Sequence, residues 1–188
     1  MVTFQDPSDC QSQAHTLAMN VFVMMKKDES RLIRKAKQLV KKRRNFARKV
    51  FIENVDGWTP VHACALRGSK KLLKVMLGSG FDIDTQMGQP EGLPNSCTLL
   101  HIAAYRGDPS ICKYLISCGA KVDAKDSFGR TPLYYAARHN SRCLLKCFEK
   151  TGADISVLDK LLPNWQSDIS NECMTPQAKT ATFCFFGK

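Results

Sequence analysis

The sequence lacks most of what a membrane-spanning or cofactor-dependent protein needs. Its longest apolar stretch, about Leu17 to Met25, contains Asn20 and falls far short of the roughly 20 residues of a spanning helix. The start, MVTFQDPSDC, carries two acidic residues and no apolar segment, so neither a secretory signal nor a transit peptide is expected. Nine cysteines are odd in number, scattered and free of any CxxC pair, which argues against a disulfide framework. Paired acids, a nucleophile beside a base and a phosphate-cradling loop are also missing. The GSG at 78–80 has no strand leading into it and no Lys-Ser/Thr after it. Catalysis, cofactors and metals are therefore not expected.

What is present is ordinary globular composition, 44% hydrophobic and 24% charged, in 188 residues. That is enough for one domain with a core and a tail of about one to three dozen residues. The net charge of +11 is not spread evenly. Lys26 to Lys49 holds twelve Lys and Arg against Asp28 and Glu29, so nearly all the excess lies in one segment.

Three stretches align with one another: 57–84, 96–123 and 129–156. Each reads as a turn, a short helix around HxAA, a second apolar helix, a glycine and an extended exit. Thr59–Pro60 and Thr131–Pro132 suit helix starts. Ala65, Ala103–Ala104 and Ala136–Ala137 allow close packing of the first helix. Leu72, Leu73, Val75, Met76 and Leu77 make an apolar face on the second, which Ile111, Leu115 and Ile116, then Leu144, Leu145 and Phe148, repeat. Gly80, Gly119 and Gly152 stand where a left-handed terminating residue is needed. Several cysteines fill positions taken elsewhere by Ala, Leu or Tyr, as small buried hydrophobes of a reducing compartment do, and cytosol or nucleus is expected.

DGWTPVHACALRG and FGRTPLYYAARHN, each followed by a Leu-rich helix and SGFDID or TGADIS, resemble the ankyrin-repeat family over about residues 50 to 160. The resemblance implies an all-α repeat solenoid of helix-turn-helix units with β-hairpin-like fingers. Leu99 stands where the family has Pro, Tyr134 where it has His, and Asn140 where it has Gly; the pattern ends after Asp159. His62 and His101, at one repeat position, are implied to be structural. Cys143 and Cys147, with His139, lack a fourth ligand at zinc-finger spacing.

The expected organisation is an N-terminal segment at 1–29 contributing to a helical cap, a basic amphipathic capping helix at 30–51, a repeat domain at 52–162 and a tail at 163–188. The 85–96 insertion, TQMGQPEGLPNS, reads as a lengthened finger loop, either a partner contact or a tolerated surface insertion. The resemblance places Trp58, Leu66, Arg67, Tyr105, Arg106, Phe128, Arg130, Arg138 and His139 on a concave partner-binding face, with Arg67, Arg106 and His139 in a column. Arginines and aromatics are frequent interface anchors, and such a face favours an acidic protein partner. Lys41, Lys42, Arg43, Arg44, Arg48 and Lys49 form a basic patch: an import signal read by an importin, a phosphate-binding surface, or the polar face of a cap. Two functions follow as expectations: a protein-binding adaptor or scaffold, or a nuclear or nucleic-acid-associated regulator using the basic helix at 31–49 while the repeats recruit a cofactor protein.

Overall fold

The computed structural model describes residues 7–90, 93–138, 142–156 and 158. Among these are nine helices and no strand. Three come first: α1 (Pro7–Lys27), α2 (Glu29–Lys42) and α3 (Arg44–Ile52). Three short pairs follow: α4 (Pro60–Arg67) with α5 (Lys70–Leu77), α6 (Leu99–Arg106) with α7 (Pro109–Ser117), and α8 (Pro132–Arg138) with α9 (Arg142–Glu149). The tail at 163–188 lies outside the described residues.

The helix starts follow from local chemistry. Thr59 Oγ1 accepts the His62 amide and Pro60 occupies the first helical turn, where its missing N–H costs nothing. Asp108 caps α7 by accepting the Ser110 and Ile111 amides at 2.9 and 3.1 Å. Gly80, Gly119 and Gly152 all take positive φ, as their places in the pattern require.

Packing is set by small residues. α6 touches both α4 and α8, and six of its eight residues are buried, so it is apolar nearly all round. Ala65, Ala103, Ala104 and Ala136 are fully buried and let these helices approach closely. Behind them lie Leu72, Leu73 and Met76, then Ile111 and Leu115, then Leu144, Leu145 and Phe148. Neighbouring units are also cross-linked by recurring hydrogen bonds. Asp84 Oδ1 accepts the Lys121 amide at 2.9 Å, and Asp123 Oδ1 accepts that of Asp154 at 3.1 Å.

The first three helices cover one side of this array: α2 packs on α5, while α1 and α3 pack on α4. Phe46, Ala47, Val50 and Phe51 of α3 and Leu32 and Ala36 of α2 are buried there. The single helix expected at 30–51 is in fact two, broken at Arg43 (φ −142°, ψ 65°). Unbroken, it would run roughly 33 Å, well past eight-residue repeat helices. It would also put Arg43 on the same face as Leu32, Ala36, Ala47 and Val50, which are buried. The break frees the guanidinium, which lies 4.5 Å from the centre of the Phe46 ring, at the surface.

The 85–96 insertion packs against its neighbours. Met87 N donates to Cys97 O at 3.0 Å and Ser96 N to Met87 O at 3.3 Å, closing the loop at its base. Met87, Pro90 and Pro94 are buried. A Cβ on Gly57 would sit 2.4 Å from Pro90 N, so the loop backbone rests directly on the preceding turn. On its other side Ser127 N donates to Asn95 O at 3.1 Å. The inserted residues thus bridge the turns of the first and third units, and much of the loop is unavailable as a protruding finger.

Candidate protein-interaction surface

The turn at 126–130 is built around one buried carboxylate. Asp126 Oδ1 accepts the amides of Phe128 and Arg130 at 2.8 and 2.9 Å, and Oδ2 accepts the Tyr135 hydroxyl at 2.5 Å. These bonds fix the direction in which Phe128 and Arg130 leave the turn. Phe128 is 67% exposed, the most exposed large hydrophobic side chain among the described residues. The Arg130 guanidinium lies 4.8 Å from the centre of its ring and 5.0 Å from that of Tyr134. Tyr134 meets Tyr135 edge-on at 5.5 Å, and Tyr135 meets Tyr105 at 6.1 Å and His101 at 5.9 Å. A continuous aromatic and cationic cluster results, running from α6 across α8 to the tip of the turn.

This cluster unites three expected residues, Tyr105, Phe128 and Arg130, with Tyr134 and Tyr135, which the sequence reading did not select. The tandem tyrosines, where the other repeats have His-Ala and His-Ile, were the available signal. Burial and the Asp126 bond raise the Tyr135 hydroxyl above its ordinary range, so it stays a proton donor to the carboxylate. Replacing Tyr135 by Phe removes a charge-assisted hydrogen bond from a buried acid and is expected to cost about 1.5–2 kcal/mol, read as a shift in the urea midpoint.

Other expected contacts fall elsewhere. Trp58 is buried at 6% exposure, a correction to its placement on the binding face. Its backbone pairs with Val55 across a tight turn in which Asp56 and Gly57 both have positive φ, and the ring is folded into the core. Leu66 is half-buried, and Arg67 and Arg138 are exposed. Arg106 is exposed but engaged: its Nη1 donates to Leu66 O at the end of α4, and its Nε lies 3.9 Å from Asp108. A cation at a helix C-terminus is favourably placed, so Arg106 bridges two repeats. His139 lies outside the described residues, and with it part of the expected Arg67–Arg106–His139 column.

The two repeat histidines are structural. His62 Nε2 donates to Thr85 O at 3.1 Å, and His101 Nε2 to Arg130 O at 3.1 Å. Their Nδ1 atoms face Thr59 Oγ1 at 2.6 Å and Thr98 Oγ1 at 2.9 Å, and His101 Nδ1 also accepts the Thr98 amide. A ring donating from Nε2 and accepting at Nδ1 is neutral, and burial lowers the pKa of His62 to about 4 and lowers that of His101 as well.

The cysteines are not poised for reaction. Burial pushes the thiols of Cys64 and Cys112 up, and that of Cys97 to about 12. Cys10, Cys64, Cys97, Cys112, Cys118 and Cys147 are free, whereas Cys143 is disulfide-bonded. Among the described residues no group of three His, Cys, Asp or Glu is arranged to hold a metal. No helix there is long and apolar enough to cross a membrane. In the basic patch Lys41, Lys42, Arg43, Arg44, Arg48 and Lys49 are all exposed, with Arg44 Nε also donating to Ser79 O at 3.3 Å.

Helix pairs with Thr-Pro starts and alanine-lined contacts, joined by neutral histidines to the next turn, coincide with two family matches. The family described as ankyrin repeats (3 copies) matches residues 85–159, and that described as ankyrin repeat matches 56–87. The chain belongs to the ankyrin-repeat family. Curated proteins similar to it include inversin of Mus musculus, 32% identical over 69% of this chain and 11% of inversin. The palmitoyltransferase ZDHHC17 of Homo sapiens is 34% identical over 61% of this chain and 17% of its own length. The tyrosine-protein kinase Shark of Drosophila melanogaster is 31% identical over 50% of this chain and 10% of its own length. The chain thus spans less than a fifth of the length of these relatives. Ankyrin repeats are protein-interaction modules, and this chain carries one.

Proposed function

We propose that the chain is a non-catalytic adaptor or scaffold, a short solenoid with β-hairpin-like fingers whose inner helices and turns hold an acidic protein segment. The observation that carries this reading is Phe128, 67% exposed yet backed by the Arg130 guanidinium. Holding an apolar ring in water is unfavourable, and a ring held in one orientation by a cation and a fixed turn loses little further entropy on binding. Arg67 and Arg138, both exposed, add positive charge at the ends of α4 and α8. Carboxylates of a partner would meet guanidinium groups beside an aromatic anchor, a combination common at interface hot spots. Six free thiols accord with a cytoplasmic or nuclear setting.

The test is quantitative capture of partners from lysate by the full chain and by a Phe128→Ala/Arg130→Ala variant. Recovery of the specific partner is expected to fall at least tenfold, consistent with the loss of two anchors. The thermal midpoint should move little for Phe128→Ala alone, since an exposed side chain contributes within about 0.5 kcal/mol. An unchanged set of captured proteins would refute the reading.

A further inference from the structure

The surface charge is concentrated on one group of helices. α2, α3, α5 and α7 together carry thirteen Lys and Arg and a single carboxylate, Glu29, which is itself bound by the Ser69 hydroxyl. α2 packs on α3 and α5, and Lys70 of α5 donates to Ser110 of α7 at 2.8 Å, so the four helices adjoin. Arg31, Arg34, Lys35, Lys37, Lys41, Lys42, Lys71, Lys74 and Lys113 are exposed, as are the patch residues on α3. None of the thirteen cations is ion-paired among the described residues.

A polar cap by itself does not require this. Arg31 and Lys35, Lys37 and Lys41, Arg44 and Arg48, and Lys70 and Lys74 are each spaced i,i+4, where like charges oppose the helix and Glu–Lys pairs would support it. The uniform sign of the charge comes at a cost to local stability, as expected of a surface that meets a polyanion.

The neighbouring helix indicates which polyanion. Of the four exposed large hydrophobics among the described residues, three, Leu17, Met19 and Val23, lie on α1, which ends in Lys26–Lys27 and packs on α2 and α3. The aromatics of the basic segment, Phe46 and Phe51, are buried and offer bases nothing to stack on. Aliphatics beside a polybasic surface are instead the two signals by which a peripheral protein holds an anionic bilayer: apolar side chains in the acyl boundary and cations at the headgroups. We propose that α1 and the adjoining cationic surface of α2, α3 and α5 dock the protein on a membrane rich in anionic lipid, leaving the Phe128–Arg130 cluster to a protein partner.

Sedimentation of the full chain with phosphatidylcholine vesicles, with and without 30 mol% phosphatidylserine (about one lipid in three, for a strongly anionic surface), tests this. Binding is expected only to the anionic vesicles and should weaken as salt rises. An Arg34→Gln/Lys37→Gln/Lys41→Gln/Lys42→Gln variant should bind on the order of a thousandfold more weakly. A Met19→Gln/Val23→Gln variant should lose the binding that persists at intermediate salt. Far-UV circular dichroism and the thermal midpoint confirm that each variant is folded. Equal sedimentation with both vesicle types, or none, overturns the proposal. So does tight binding of a DNA duplex that displaces the vesicles and is indifferent to Met19 and Val23, which would assign the surface to nucleic acid.

Discussion

Replacing Gly57 by alanine is expected to destabilise the protein by roughly 3–4 kcal/mol, lowering the thermal midpoint by about 10 °C. Two costs add. At φ +83° any L side chain is strained, by about 1–2 kcal/mol. In addition, the new Cβ would lie 2.4 Å from Pro90 N and 2.5 Å from the Gln89 carbonyl carbon. These are backbone atoms of the 85–96 bridge and cannot rotate away. Gly119→Ala is the internal control: its φ is +92°, but nothing lies within 4 Å, so only the conformational strain applies. If the two substitutions cost the same, the insertion does not rest on the turn at Val55–Trp58 as described.

Stability should also fall as the pH drops from about 6.5 towards 4. The folded state holds His62 neutral, with its pKa lowered to about 4 by burial, whereas the unfolded chain protonates near 6.5. The contribution is therefore fully present above about 6.5 and is lost progressively as the pH falls through the folded value. A shift of about 2.5 units limits the loss to roughly 3 kcal/mol. His101 is displaced in the same direction and adds to it. The Asp154 carboxyl is held below its ordinary range by the Ser156 amide, so its protonation falls below this window. Urea midpoints measured at pH 7, 6 and 5 check the expectation. A flat profile would mean that the Nδ1 contacts to Thr59 and Thr98 tolerate charged rings.

Both predictions concern joints between repeats, and these were unequally visible beforehand. The recurring His position was legible because its neighbours Thr59 and Thr98 repeat with it. The insertion was legible as extra residues, but its Gly and Pro content described only a loop, and which surface that loop would lie on is a long-range property. Trp58 misled for the same reason: a tryptophan beside an Asp-Gly turn reads as a finger residue, yet the Val55–Trp58 pairing turns its ring inward. The basic helix was legible by period alone, and its periodicity concealed the break, because Arg43 falls in phase with the apolar face on either side.

The interaction surface shows the same division. Arg106 and Arg67 hold equivalent repeat positions, but the stacking of α6 on α4 carries the Arg106 side chain onto the Leu66 carbonyl. Conversely, Tyr134 and Tyr135 looked like departures from the repeat, and become, with Arg130, the support of Phe128.

By itself the sequence determined the repeat: helix starts at Thr-Pro, apolar faces at helical spacing, glycines at positive φ and a polybasic segment ahead of them. Those features depend on a few neighbouring residues and on the 3.6-residue period, which chain order encodes directly. The tertiary structure alone decided which side chains remain free for a partner, because the burial of Trp58, the hold of the Leu66 carbonyl on Arg106 and the exposure of Phe128 are set by packing in three dimensions and not by the local repeat pattern.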